Sequence, residues 1–222
     1  MRKIMIDCKT EGIDEFRRLA AFAKAAGVTH VNIAQVEPSM WQWDMDRTDP
    51  YPNWGMYNAT LFKVALPKAL EKYIPAEYAE KNLQLFKERA EILKEYGLKA
   101  MCVGMEPAWL PNEAYIDHPD WRGPRCDQPR RARNEYYAPC TDNCEVQELY
   151  RESVAKLCSI IPIEYFEFLT NDSGGGVCWA SGLYPGANGP TACRHTSIGD
   201  KVVSFLSVLQ EGAESVGVNA EV

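Results

Sequence analysis

The segment Thr170-Asn171-Asp172-Ser173-Gly174-Gly175-Gly176 sets a carboxylate just past an apolar run, with three glycines behind it. Glycine lets a backbone pass close to a ligand. A second acid, Glu106, closes another apolar run in Gly104-Met105-Glu106-Pro107-Ala108-Trp109. Two carboxyl groups flanking a small ligand suit glycosidic bond hydrolysis, which needs them about 5–5.5 Å apart for retention and roughly 6.5–9.5 Å for inversion. Asp172 and Glu106 are therefore the candidate catalytic residues. Each has a plainer role open to it. Asp172 could cap a turn, since Asx-turns commonly precede glycine. Glu106 could be a hydrogen-bonded acid that orients its neighbours, with a second catalytic carboxylate supplied from elsewhere.

Aromatic residues crowd the same stretches. Trp41, Trp43, Trp54 and Tyr57 follow one apolar run, Trp109, Trp121, Tyr136 and Tyr137 another, and Trp179 and Tyr184 a third. Flat sugar C–H faces stack on such rings, although loops this long also need a small core of their own. Asn171, Trp41, Trp43, Trp109, Trp179, Tyr184, Arg122 and His195 complete the candidate ligand-binding set. Arg122 belongs to a basic run with Arg125, Arg130, Arg131 and Arg133. A guanidinium fork there would suit an acidic sugar such as a uronate, and a solvated or acid-paired face is the alternative.

The chain has eight cysteines. Cys8, Cys102 and Cys158 fall in strand or helix patterns and read as small core residues. Cys126, Cys140, Cys144, Cys178 and Cys193 fall in or beside loops. Cys140 and Cys144 are four apart, and His195 closely follows Cys193. Zinc is one use of such residues, but a second close pair is missing, so unlinked thiols, no metal ligand and no cofactor are expected.

These residues hang on a repeating frame. Ile4-Met5-Ile6, Val28 to Ala34, Lys99 to Gly104 and Tyr165 to Thr170 read as strands. Between and after them lie four amphipathic helices. Their apolar faces are carried by Phe16, Leu19, Ala20, Ala23 and Ala26; by Leu83, Phe86, Ala90 and Leu93; by Val146, Leu149, Tyr150, Val154 and Leu157; and by Val202, Phe205, Leu206, Leu209, Ala213 and Val216. Gly27, Gly97 and Gly217 terminate helices, and Ser197 with Asp200 reads as an N-cap with an acidic partner. Asn219-Ala220-Glu221-Val222 starts a fifth strand.

Strict alternation of strand and helix predicts a parallel α/β sheet with right-handed crossovers. The segments after the strands are long, at about 36–76, 107–142 and 173–196, whereas the turns before them are short. That asymmetry favours a (β/α)8 TIM-type barrel over a doubly wound open sheet. Neither the dinucleotide nor the P-loop glycine motif occurs. Residues 1–222 account for about four βα units and the start of strand five, so the first half of a barrel is expected. Such a half would expose apolar edges. The isolated chain is then expected to be unstable, or to associate with a missing half or with itself.

Charge and hydropathy narrow the partners. A net charge of −7 argues against nucleic acid and anionic membrane. No apolar run reaches the roughly 18 residues of a membrane span. No signal peptide is legible at the N-terminus. A cytoplasmic location is expected, or a periplasmic or secreted one if the N-terminus is trimmed.

Thr170-Asn171-Asp172-Ser173-Gly174, then Cys178-Trp179, Leu183-Tyr184-Pro185-Gly186 and Asn188-Gly189-Pro190, resembles a group of bacterial sugar-processing barrels. These are related to the beta-N-acetylhexosaminidases and alpha-glucuronidases. Pro139-Cys140-Thr141-Asp142-Asn143-Cys144-Glu145-Val146 resembles the Cys-x-x-Asn-Pro-Glu-Val segment leading into their third helix, with Cys144 in place of Pro. The likeness covers strands three and four and their loops, about a third of the chain. It implies a glycosidase with Asp172 as general acid and Asn171 touching a sugar hydroxyl. One departure is visible: hexosaminidases carry Asp-Glu where this chain has Asn171-Asp172. Two other functions fit the residues. One is a non-catalytic carbohydrate-binding barrel. The other is a metal-dependent sugar isomerase or epimerase using Asp7, Glu106, Asp172 and histidines.

Overall fold

A computed structural model describes residues 3–8, 10, 12–36, 61–107, 110–126, 135–169, 176–183 and 186–222. Its elements run β1 (Met5–Ile6), α1 (Ile13–Ala25), β2 (His30–Asn32), α2 (Leu61–Val64), α3 (Ala76–Glu95), β3 (Lys99–Met105), α4 (Asn112–Asp117), β4 (Arg122–Arg125), β5 (Tyr137–Pro139), α5 (Cys144–Ile160), β6 (Tyr165–Leu169) and α6 (Ile198–Glu214).

The main sheet has the order β1-β2-β3-β6, all parallel. Strand order therefore follows sequence order. Right-handed crossovers in a constant direction put the helices on one face. The result is a curled half-barrel, the coarse architecture that the alternation predicts. The stub of a further strand is also in place. Tyr165 and Glu221 form a parallel bridge, Phe166 N donates to Glu221 O at 2.8 Å, and Glu221 N donates to Glu164 O at 3.0 Å.

The helices form where the apolar period requires them. Phe16, Ala20 and Ala23 bury one face of α1; Leu83, Phe86 and Leu93 one face of α3; Val146, Leu149, Tyr150, Val154 and Leu157 one face of α5; Phe205, Leu209 and Ala213 one face of α6. Burying each large side chain contributes roughly 1.5–3 kcal/mol. Asn143 caps α5, its side chain accepting from the amides of Glu145 and Val146, and Ser197 caps α6 by accepting from Asp200 N at 3.1 Å. Gly27, Gly97 and Gly217 follow their helices with positive φ, as read from the sequence.

Two expectations need correction. The stretch read as one long loop over 36–76 contains α2 and a 3-10 turn at Lys68–Leu70, with Leu61, Phe62, Val64, Leu66 and Leu70 buried. The side chains of α3 and α5 satisfy this segment's backbone. Asn82 Nδ2 donates to Lys63 O at 2.9 Å, Ser153 Oγ to Ala65 O at 2.7 Å, and Lys156 Nζ to Leu66 O at 2.9 Å. Cys8 is the second correction. It is exposed because β1 ends at Ile6, two residues before it. Cys102 and Cys158 are buried as expected. No helix among the described residues is long and apolar enough to cross a membrane.

Candidate functional site

The carboxyl ends of the parallel strands carry a polar band. Asn32, buried on β2, donates from Nδ2 to Asp7 Oδ1 at 2.8 Å, and its Oδ1 accepts from Ala34 N at 2.8 Å and Val103 N at 3.0 Å. It thereby fastens the end of β1 to β2 and β3. Arg89 reaches from α3 to Ile33 O at 2.8 Å and also to Gln35 O, with its guanidinium 5.4 Å from the Phe16 ring centroid. Neither residue was singled out from sequence. The signal for Asn32 was there, a polar side chain between Val31 and Ile33 in an apolar run.

Glu106 follows directly on β3 and is 3% exposed. Its Oε1 accepts from Leu61 N at 3.0 Å and its Oε2 from Tyr150 OH at 3.2 Å. The carboxyl therefore holds the first residue of α2 and the middle of α5. Register fixes the neighbouring strand end: Met105 pairs with Leu169. Asp172 comes three residues after Leu169 in sequence, and it lies outside the described residues, as do Asn171, Trp41, Trp43, Trp109 and Tyr184. Of the glycines after Asp172, Gly176 is described. A Cβ built there would stand 2.2 Å from Pro107 O, so this glycine lets the loop after β6 press on the chain just beyond Glu106.

The remaining described candidates lie in the loops after β3 and β6. Trp179 is half-buried, donates its indole N–H to Pro190 O at 3.0 Å, and lies under the Arg194 guanidinium at 5.0 Å. Arg122 leans over the Tyr137 ring at 5.0 Å, and Arg125 pairs with Glu135 at 2.8 Å. Trp121 is buried, stacked on His118 at 3.8 Å and bonded to Glu145 at 2.6 Å. His195 is exposed. The third and fourth loops are stitched together by Asn188. Arg125 N donates to its Oδ1 at 2.6 Å, and its Nδ2 donates to Arg125 O at 3.2 Å.

The structure also gathers what the sequence scattered. Cys140, just past β5, meets Cys178 and Cys193 from the loop after β6, with the three sulfurs within 4.8 Å of one another and all three residues buried. Cys178 and Cys140 Sγ are 3.7 Å apart. A hydrogen bond from Cys178 outweighs burial and draws the Cys140 thiol down to about 6. The same bond, with burial, pushes Cys178 up, and burial pushes Cys193 up. Lys201 of α6 is buried beside them, donating to Asp142 Oδ2 and to Cys193 O, both at 2.6 Å. Burial opposes its charge, but the bond to Asp142 and the nearby acid and thiols raise its pKa. Soft thiolates in this arrangement can hold a cation such as Zn2+.

No family model matches the chain, and no curated protein matches it by sequence. Solved structures match in fold. A family 36 alpha-galactosidase from Geobacillus stearothermophilus is 17% identical, with a TM-score of 0.50, and the match covers 99% of this chain and 27% of that one. A family 20 beta-N-acetylglucosaminidase is 8% identical, with a TM-score of 0.47, covering 97% of this chain and 41% of that one. A family 138 enzyme targeting pectin rhamnogalacturonan II is 10% identical, with a TM-score of 0.45, covering 92% of this chain and 17% of that one. The chain shares its fold with a stretch of the galactosidase and spans about a quarter of that protein's length.

Proposed function

We propose that the chain forms part of a carbohydrate-active (β/α)8 barrel that hydrolyses glycosidic bonds, with Asp172 as general acid and Glu106 as its partner or as the acid that positions it. The observation that carries the reading is the Met105–Leu169 register, which makes neighbours of the two strand ends that lead to Glu106 and Asp172. The enclosure of Glu106 and the fold likeness to the galactosidase support it. The aromatic loops would supply sugar-stacking surfaces, and the finer relation to hexosaminidases and glucuronidases rests on residues 139–146 and 170–190.

The test is a panel of chromogenic glycosides, including hexosaminides and glucuronides, assayed on the protein expressed from its complete gene. Asp172→Asn keeps the shape and removes the proton donor. Turnover of substrates with poor leaving groups should fall by roughly 10²–10⁴-fold, while activated leaving groups, which need little protonation, should lose less. Equal, undiminished rates on both would remove Asp172 from the acid role.

One observation favours a second reading. The Glu106 carboxyl is engaged on both oxygens by Leu61 and Tyr150, which suits a barrel that binds carbohydrate without cleaving it. Glycan binding by calorimetry, with no turnover of any glycoside, would select this reading.

A further inference from the structure

Cys140, Cys178 and Cys193 sit at three points of the chain that no spacing rule links, yet the fold brings their sulfurs within 4.8 Å of one another. Around them is a cluster separate from the main apolar core, made of these three residues with Trp179 packed against it. A core built of three small thiols buries little surface, so apolar packing alone is a weak reason to converge them.

The geometry points to a zinc site: we infer that Cys140, Cys178 and Cys193 ligate one Zn2+ that ties the loop after β3 to the loop after β6. Tetrahedral zinc with Zn–S bonds near 2.3 Å separates its sulfurs by about 3.8 Å. The Cys140–Cys178 separation is 3.7 Å. A disulfide would need those sulfurs near 2.05 Å and would leave Cys193 without a role. Among the described residues no further cysteine, histidine or carboxylate joins the group, so the fourth corner falls to solvent or to a donor from the flanking loops.

The surroundings suit an anionic metal–thiolate centre. Three thiolates and one Zn2+ leave a single negative charge. The buried Lys201 ammonium is fixed next to it by Asp142 and by the carbonyl of Cys193 itself. Backbone bonds fix the chain at Cys140 and directly beside Cys178. Cys140 N donates to Trp121 O at 2.7 Å, and Trp179 N, next to Cys178, donates to Asn188 O at 2.8 Å. The metal would close a frame whose edges are already set. On binding, each sulfur that still carries a proton releases it to solvent and each sulfur donates a lone pair, with no change in oxidation state.

The full chain, purified under reducing conditions and exposed to Zn2+, should retain about one zinc per molecule by elemental analysis. Cys178→Ser and Cys193→Ser should each lose most of it, whereas Cys8→Ser and Cys144→Ser, which alter exposed thiols, should keep it. In case the serine variants fold poorly, the unaltered chain supplies a second measurement. Co2+ loaded in place of zinc should give sulfur-to-cobalt charge-transfer absorption and the intense visible bands of tetrahedral cobalt, and mercurial titration of the thiols should release zinc stoichiometrically. Absence of bound zinc, retention of zinc by both serine variants, or a Cys140–Cys178 disulfide found by non-reducing peptide mapping would each overturn the inference.

Discussion

The Tyr150 hydroxyl donates to Glu106 Oε2 at 3.2 Å, joining the middle of α5 to the carboxyl end of β3 across 44 residues of sequence. Tyr150 is itself wholly buried between Phe62, at a ring-centroid distance of 4.5 Å, and Phe205, at 4.8 Å. The acid at the strand end is thus held by an aromatic side chain whose position is set by α2 and α6.

Tyr150→Phe keeps that aromatic packing and withdraws one donor from a buried carboxyl. The chain should lose roughly 1–3 kcal/mol of stability, the cost of leaving a buried acceptor short of a partner. Urea denaturation followed by tryptophan fluorescence measures it. Tyr150→Leu should cost more, because the ring contacts go as well.

Gly176 has φ +84°, and a Cβ there would meet Pro107 O and the Pro107 ring. Gly176→Ala should destabilise by roughly 1–3 kcal/mol from the backbone alone, and the clash adds to that. It should also push the fourth loop off the Glu106–Pro107 corner. If the proposed hydrolysis holds, turnover should fall together with the denaturation midpoint, and a midpoint equal to that of the unaltered chain would refute the close approach.

His30 sets a pH dependence. Burial lowers its pKa below the usual 6.5, the positive charges of Lys99 and Lys3 lower it further, and Glu164 and Glu221 oppose. Thr29 Oγ1 occupies Nδ1 at 2.8 Å, and Glu164 stands 3.9 Å from Nε2. The unfolded chain therefore binds a proton at a higher pH than the folded one. Stability is whole above about 6.5 and declines as pH falls from there toward the lowered folded value. Denaturant midpoints between pH 7.5 and 5 should show this loss, and His30→Gln should flatten it.

Lys201→Met removes a buried cation and strands Asp142. A fully enclosed pair broken on one side costs 3–5 kcal/mol, and Asp142 keeps some water, so a loss of about 2–3 kcal/mol is expected. The double variant Lys201→Met/Asp142→Leu should recover part of it. Additive losses in that double-mutant cycle would show that the two side chains do not depend on each other.

The sheet order, most of each helix face and the Ser197 N-cap are legible because each is written in local periodicity or in a short cap motif, whereas Ala26 and Val216, expected on buried faces, are exposed at helix ends. Val146, Leu149, Tyr150, Val154 and Leu157 announce their buried face by spacing alone. The α2 segment was not legible. It is one turn long, and its support comes from Asn82, Ser153 and Lys156, partners 19 to 90 residues away. The cysteine cluster was missed for the same reason. Cys140 and Cys178 are separated by 38 residues and meet where the loops after the neighbouring strands β3 and β6 come together. Burial of Lys201 ran against the usual reading of a lysine on a helix, since its partners lie on loops before the helix begins.

Asn188 has one more implication. Its amide meets both backbone groups of Arg125 as a neighbouring strand would, so one side chain stands in for a missing ladder rung. Barrels diversify most readily when each loop can be exchanged without regard to its neighbours. Here the third and fourth loops are bonded to each other, so exchanging either alone would break both Asn188 bonds. A loop spanning 177–193 grafted into a related scaffold would arrive without its counterpart, and a working transplant would have to carry residues 121–140 with it.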